Sequence, residues 1–288
     1  MRASLLQIDV DEAESVGARR RRVASLVRQQ TGSDLVILPE LWTTGAFAYE
    51  AFGTEAEPLE GPTYEVMAEA ARDAGVWLHA GSIPERVASG GGVGGASGGG
   101  AAGAAGHGAG GAADSLYNTS LVFSPTGDLV ASYRKIHRFG FDKGEAVLMG
   151  AGSELVTVRL PGTTLGLATC YDLRFPELFR GLVDAGAETL VVSAGWPERR
   201  RSHWTLLAQA RAVENQAYVL ACGTGGGHAG VPQAGHSIVV DPWGEVLAEA
   251  GAGEEVLTVE FDASKVGVTR EQFPALKDRL LGVAAPRR

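Results

Sequence analysis

Cysteine is scarce in this chain: Cys170 and Cys222 are the two among 288 residues. Two cysteines cannot build a disulfide framework, which excludes a cross-linked secreted scaffold and points to a reduced compartment. Long apolar runs are missing too. No stretch approaches the roughly 18 apolar residues of a membrane span. The opening MRASLLQIDV moves straight into alternating apolar residues, with no basic segment ahead of a long apolar one. No secretory signal is therefore expected. Positive charge is also short: 25 Lys and Arg against 34 Asp and Glu leave a net charge of −9. An acidic surface does not attract phosphate backbones, which argues against general nucleic-acid binding. The expectation is a soluble cytoplasmic protein with neither nucleic acid nor membrane as partner.

What is present suits a large core. Hydrophobic residues make up 45% and charged residues 20%, within the range of globular chains. The length is acceptable for one α/β domain. One segment differs from the rest: Gly90 to Ala113 is almost all Gly and Ala, with His107 its only ionisable residue. Such a stretch cannot bury enough apolar surface to offset its ordering entropy. There is no internal repeat and no second compositional regime. The reading is a single domain over 1–288, interrupted by a disordered Gly/Ala-rich loop insertion at about 87–114.

Periodicity supplies the elements. Strands are predicted at Leu5–Val10, Asp34–Pro39, Val76–Ile83, Thr189–Ser193, Tyr218–Cys222 and Val256–Phe261. Helices are predicted at Glu14–Gln30, Tyr64–Ala74, Phe175–Ala185 and His203–Asn215, where apolar residues recur at helical spacing. Three hairpins follow from turn signals: Thr119–Phe123 with Leu129–Tyr133, Leu155–Leu160 with Leu165–Thr169, and Ser237–Val240 with Val246–Glu249. Strands alternating with helices, with hairpins among them, imply a layered α/β fold with mixed sheets. Several strands are apolar throughout, so the sheets should be covered on both faces.

Three residues stand just beyond the ends of apolar strands, where α/β sheets gather their active-site crevice. Cys170 follows LGLAT and precedes a helical segment. Backbone N–H groups there lower a thiol pKa and can hold an oxyanion; a buried core cysteine is the competing reading. Cys222 lies mid-strand in YVLACG and reads as core. Glu40 follows DLVILP beside Trp42 and Phe47. Apolar neighbours push a carboxyl toward values useful for a general base, whereas an exposed loop glutamate is the usual case. Lys135 follows LVASYR and either stabilises an oxyanion or belongs to a solvated basic run with Arg134 and His137. Glu145, ten residues on, can reach back to the same place. A nucleophile, a proton acceptor and a cation need no metal and no cofactor to cleave an acyl bond.

Taken in order, PELW, YRKIHRFGFDKGE and CYDLRFPELFR resemble the nitrilase superfamily of carbon–nitrogen hydrolases. The resemblance runs from LLQIDV to the last strand, broken by the Gly/Ala insertion. It is greatest to the omega-amidase and deaminated-glutathione-amidase branch, where the nucleophile is followed by a YD-L/M-RF pattern. The resemblance implies a four-layer αββα sandwich that forms a homodimer or a larger homo-oligomer. It makes Cys170 the nucleophile, Glu40 the general base, Lys135 the oxyanion-stabilising lysine and Glu145 the second glutamate that orients the site. The implied reaction is hydrolysis of a small linear amide to carboxylate and ammonia through a cysteine thioester.

For substrate binding the candidates are Arg174, Tyr171 and Trp196. In the resembling branch an arginine four residues after the nucleophile binds the distal carboxylate, a task that suits its planar fork. A structural salt bridge from Arg174 to Glu177 or Glu214 is the alternative. Tyr171 stands where nitrilases usually carry Trp, and Leu173–Arg174 does not match the basic pair of carbamoylases. Both departures favour an amide over a nitrile or an N-carbamoyl amino acid. Trp196, in SAGWP, follows another strand end and either lines the pocket or packs in the core. Tyr117 and Asn118 either pack near the site or anchor the loop, and His203, Trp204, Arg211, Glu214 and Asn215 match a supporting helix of the family. Two rivals remain at this level: a Cys–His hydrolase using His137, His203 or His236, and a non-catalytic binding protein on the same fold.

Overall fold

Two six-stranded mixed sheets carry the chain, in a computed structural model that describes residues 1–88 and 114–281. Apart from its ends, the Gly/Ala insertion expected at about 87–114 lies outside the described residues. The first sheet has the order Glu255–Glu260, Arg2–Gln7, Leu35–Ile37, Trp77–Val87, Ser115–Phe123, Leu129–Arg134. The second runs Val246–Glu249, Ile238–Val240, Tyr218–Gly223, Thr189–Ala194, Thr163–Thr169, Thr157–Leu160. In each sheet three consecutive strands are parallel and the flanking strands pair antiparallel.

Alternation along the strands decides what faces what. Leu5 points between the sheets, where it packs with Ile37, Leu167, Val191 and Leu220. Leu6, one residue on, points the other way and meets Val23, Val27, Met67 and Ala71 of the helices Val16–Arg28 and Pro62–Ala74. The second sheet repeats the arrangement: Leu190, Val192 and Val219 face Phe179 and Leu182 of the helix Pro176–Asp184 and Ala208 and Ala212 of the helix Arg201–Asn215. The result is the expected αββα order of layers. Each fully buried Leu, Val or Phe contributes about 1.5–3 kcal/mol relative to exposure. The helix ends are also encoded locally: the Ser15 hydroxyl accepts from the Ala18 N–H, and Gly75 closes the helix Pro62–Ala74 in the left-handed region.

Several boundaries differ from the sequence expectations. The first strand is Arg2–Gln7 rather than Leu5–Val10, because the backbone leaves the sheet after Gln7. There the Ile8 carbonyl accepts from the Gly225 N–H at 3.0 Å, and that of Asp9 accepts from Arg22 Nη2 at 3.0 Å. The strand expected to end at Ile83 continues to Val87, in register with Ser115. Two helices without strong periodicity, Tyr49–Glu55 and Lys265–Gln272, were not foreseen. No helix of the described residues is long and apolar enough to cross a membrane.

Candidate active site

The parallel strands of both sheets end on one side of the molecule, and the four residues singled out there meet. Glu40 is held by the turn after Leu35–Ile37. Leu41 sits at φ +44°, its N–H donates to Ser82 Oγ at 2.9 Å, and the Trp42 indole donates to the Ala80 carbonyl at 2.9 Å. Gly81 is required beneath this turn: a Cβ there would lie 2.0 Å from the Pro39 carbonyl oxygen. Lys135 follows its strand directly, with its N–H on the Asn118 carbonyl at 2.9 Å and its own carbonyl accepting from Gly152 at 2.9 Å. Glu145 opens the short helical turn Glu145–Leu148.

Lys135 Nζ lies 2.6 Å from Glu40 Oε1 and 2.6 Å from Glu145 Oε2. All three side chains are buried. Asn118, from the middle of the neighbouring strand, closes the ring: its Nδ2 donates to Glu40 Oε1 at 2.8 Å and to Glu145 Oε1 at 2.6 Å. The Phe139 N–H gives Glu145 a further bond at 3.0 Å. Two carboxylates thus share one ammonium, and the amide and peptide donors offset part of the remaining negative charge. Burial would drive the lysine neutral, but Glu145 and Glu40 outweigh it and hold its pKa well above the ordinary value. Glu145 is pushed up, by burial first.

Cys170 begins a short 3₁₀ turn, Cys170–Arg174, at φ +47°. A non-glycine residue in that region costs on the order of 1–3 kcal/mol and persists only where its surroundings over-determine it. Here Asp172 does so. Its buried carboxylate accepts from the Thr169 N–H at 2.9 Å and from Tyr133 Oη at 2.7 Å on one oxygen. The other oxygen takes the His137 N–H at 3.0 Å and lies 2.7 Å from His137 Nδ1. The Cys170 thiol points at the Gly195 carbonyl, 3.8 Å away, while the Gly195 N–H donates to Glu40 Oε2 at 2.9 Å. The two backbone groups of one residue, Gly195, therefore touch the thiol and the carboxylate. The thiol corrects one expectation: its pKa is not lowered by nearby N–H groups. Burial and the Glu40 carboxylate hold it well above the ordinary thiol value, against the opposing pull of Lys135. Cys222 lies between the sheets, fully buried, with its sulfur 3.4 Å from the Ile37 carbonyl.

A small cavity opens over these groups, lined by Glu40, Lys135, Glu145, Cys170 and by Tyr171, Arg174, Trp196 and Arg200 among others. All three substrate-binding candidates are on its wall. Tyr171 packs edge-on against Phe139 and Phe175 at 5.4 and 5.2 Å. The Arg174 guanidinium lies 4.9 Å from the Trp196 ring centre, with Nη2 3.3 Å from His203 Nδ1. Among the described residues no carboxylate pairs with Arg174; Glu214 is taken by Arg211 at 2.8 Å. His137, His203 and His236 do not line the cavity. Tyr117 stands apart, under the Arg134 guanidinium at 4.3 Å. Trp204 and Arg211 work from behind: the indole donates to the His236 carbonyl at 2.7 Å, and Arg211 Nε to the Leu173 carbonyl of the cysteine turn at 3.1 Å. Among the described residues no cluster of three or more His, Cys, Asp or Glu has the arrangement of a metal site.

Asp172, Gly195 and Arg200 were not assigned to the site from sequence, and Asn118 was read only as packing near the site or anchoring the loop. Asn118 left a trace, as a polar residue within a buried strand beside Lys135's. Arg200 left none, because RR in PERRR reads as solvated charge.

Comparison with known proteins follows the same lines. The carbon–nitrogen hydrolase family model matches residues 2–271. A 2-oxoglutaramate amidase of Paenarthrobacter nicotinovorans is 39% identical over 279 residues, covering 95% of this chain and 87% of that protein. Mouse omega-amidase NIT2 is 33% identical over 288 residues, covering 96% and 94%. Among solved structures, XC1258 from Xanthomonas campestris, a CN-hydrolase superfamily protein with an arsenic adduct in its active site, superposes with a TM-score of 0.83. It is 30% identical and covers 99% of both chains.

Proposed function

The chain belongs to the carbon–nitrogen hydrolase family, and from that premise we propose that it hydrolyses the terminal amide of a small carboxylate-bearing acid to the free acid and ammonia. The observation that carries this reading is Gly195, whose carbonyl meets the Cys170 thiol and whose N–H meets Glu40, so that both stand beside a doubly paired Lys135.

In this proposal Glu40 accepts the thiol proton as sulfur attacks the amide carbonyl carbon. The C–S bond forms, and the carbonyl π pair moves onto oxygen. The resulting oxyanion is met by Lys135 Nζ and the Tyr171 N–H. Collapse breaks the C–N bond, and the proton on Glu40 goes to the leaving nitrogen, which departs as ammonia. Water then attacks the thioester carbonyl and gives a proton to Glu40. Expulsion of the thiolate, reprotonated by Glu40, releases the carboxylic acid. Glu145 and Asn118 keep the ammonium and the base in place. Arg174 receives the distal carboxylate on its planar fork, which among the described residues pairs with no acid.

Relatives named 2-oxoglutaramate amidase and omega-amidase support the same substrate class. A homodimer and a reducing cytoplasm complete the proposal. Leu206 and Val213 are exposed on one face of their helix, and the exposed Trp243 and Phe273 lie with tilted rings 6.3 Å apart. The two cysteines are free.

The test is ammonia release across a panel of mono-amides with and without a distal carboxylate. The carboxylated members should lead, and Arg174→Ala should remove their advantage. Failure of every amide, or a preference for carboxylates that survives Arg174→Ala, would refute the respective part of the proposal.

A further inference from the structure

Arg174 ends the turn Cys170–Arg174, and that turn is tied from behind, where the Leu173 carbonyl accepts from Arg211 Nε at 3.1 Å. The guanidinium is held on two sides. Trp196 supplies an aromatic face, with its ring centre 4.9 Å away. His203 supplies an acceptor, with Nδ1 3.3 Å from Arg174 Nη2. Both partners are themselves fixed. The Trp196 indole donates to the Arg200 carbonyl at 2.8 Å, and its ring lies 5.5 Å from that of the buried Trp204, the residue after His203 in the helix Arg201–Asn215. Trp204 in turn donates to the His236 carbonyl at 2.7 Å.

The chemistry of the acceptor decides what this clamp can do. Arginine only donates, so the bond requires a neutral imidazole with its proton on Nε2. Such an acceptor takes one N–H and leaves the guanidinium its full charge. A carboxylate in the same place would hold the side chain as well, but it would pair with the cation and compete with an incoming acid. We infer that His203, exposed and outside the cavity wall, is a positioning residue whose neutral Nδ1 fixes Arg174 over Trp196 without neutralising it, so that the guanidinium meets the substrate's distal carboxylate already ordered. An arginine held only by its own backbone would have to be ordered on binding, and that ordering weakens affinity.

This inference rests on the assignment of the distal carboxylate to Arg174, and its test separates the two. His203→Leu, His203→Asn and His203→Asp are compared with the wild type and Arg174→Ala on glutaramate, 2-oxoglutaramate and valeramide, which lacks the carboxylate. The first variant removes the acceptor, the second keeps a neutral one near the place of Nδ1, and the third has the shape of the second with a charge. His203→Leu should raise KM for the two carboxylated amides about three- to tenfold, the ordering of one long side chain, with kcat within about twofold of wild type. His203→Asn should restore most of that loss, and His203→Asp should bind these two amides worst of the three. All three should match the wild type on valeramide, and His203→Leu should add nothing in the Arg174→Ala background. A loss that persists in that background, a loss that falls equally on valeramide, an unchanged KM in His203→Leu, or equal KM values for the Asn and Asp variants would overturn the inference. An Arg174→Ala variant that keeps the preference for carboxylated amides would instead overturn the assignment of Arg174. Should valeramide turn over too slowly to measure, protection of Cys170 from iodoacetamide by glutarate decides: His203→Leu should need about three- to tenfold more glutarate than the wild type, and equal concentrations would overturn the inference.

Discussion

Asp172→Asn tests how the cysteine turn is held, without altering the cavity wall. The wild-type carboxylate is fully buried and meets four donors: Tyr133 Oη, the Thr169 N–H, the His137 N–H and His137 Nδ1. An asparagine can keep Oδ1 for Tyr133 and Thr169. Its NH₂ then faces His137, where it can donate to a neutral Nδ1 but must oppose the backbone N–H. One buried donor is lost outright, and the remaining bonds lose their charge assistance. Hydrogen bonds to ionised groups are worth about 1.5–3 kcal/mol. The substitution should therefore cost about 2–4 kcal/mol, or a Tm loss of about 5–10 °C for a chain of this size.

The same carboxylate over-determines the left-handed Cys170, so the sulfur should shift when it goes. A misplacement of about 1 Å costs on the order of a hundredfold in rate. Thermal melts and ammonia release at 25 °C measure the two effects. A Tm within about 1 °C of wild type together with kcat/KM within about twofold would refute the idea that Asp172 holds the turn. A lower Tm with unchanged kcat/KM would limit its role to stability.

Two other expectations follow from buried titratable groups. His79 is fully buried between the sheets with neither ring nitrogen partnered, and burial lowers its pKa from 6.5 to about 4. Above pH 6.5 the histidine is neutral in both states and its contribution is intact. As pH falls toward 4 the unfolded chain takes up a proton that the folded chain refuses, and up to about 3 kcal/mol is lost. His79→Phe should flatten the urea-midpoint curve between pH 7 and pH 4, and parallel curves for the two proteins would refute this. Iodoacetamide should modify Cys170, which lines the cavity, in preference to the enclosed Cys222, checked by peptide mass mapping. Its rate should keep rising through pH 9.0, because the thiol pKa is held above that value. A plateau near neutral pH would mean a preformed thiolate.

The sheets were legible because burial on both faces leaves runs such as DLVILP and LGLAT, and the hairpins because their turns need particular residues. The helices Tyr49–Glu55 and Lys265–Gln272 were not, since the first buries one residue, Phe52, and the second two, Val266 and Thr269. The site was legible in part: Glu40, Lys135, Glu145 and Cys170 each sit at or near an element end beside recognisable neighbours. Gly195 could not be read, because its role lies in its backbone N–H and carbonyl, which face residues 155 and 25 positions away.

The charge balance was hidden for the same reason. Chain spacing does not show that Glu40 and Glu145 share a single ammonium, and the expected lowering of the thiol pKa counted only favourable donors. With both carboxylates already around Lys135, a resting thiolate would be a third negative group beside one cation. In the proposed mechanism the thiol keeps its proton until a carbonyl carbon arrives to take the sulfur's charge, when the negative charge moves to an oxygen that Lys135 can meet. On that proposal, proton transfer to Glu40 and attack by sulfur are coupled, and the cavity's selectivity for its substrate is also its protection against premature alkylation or oxidation of Cys170.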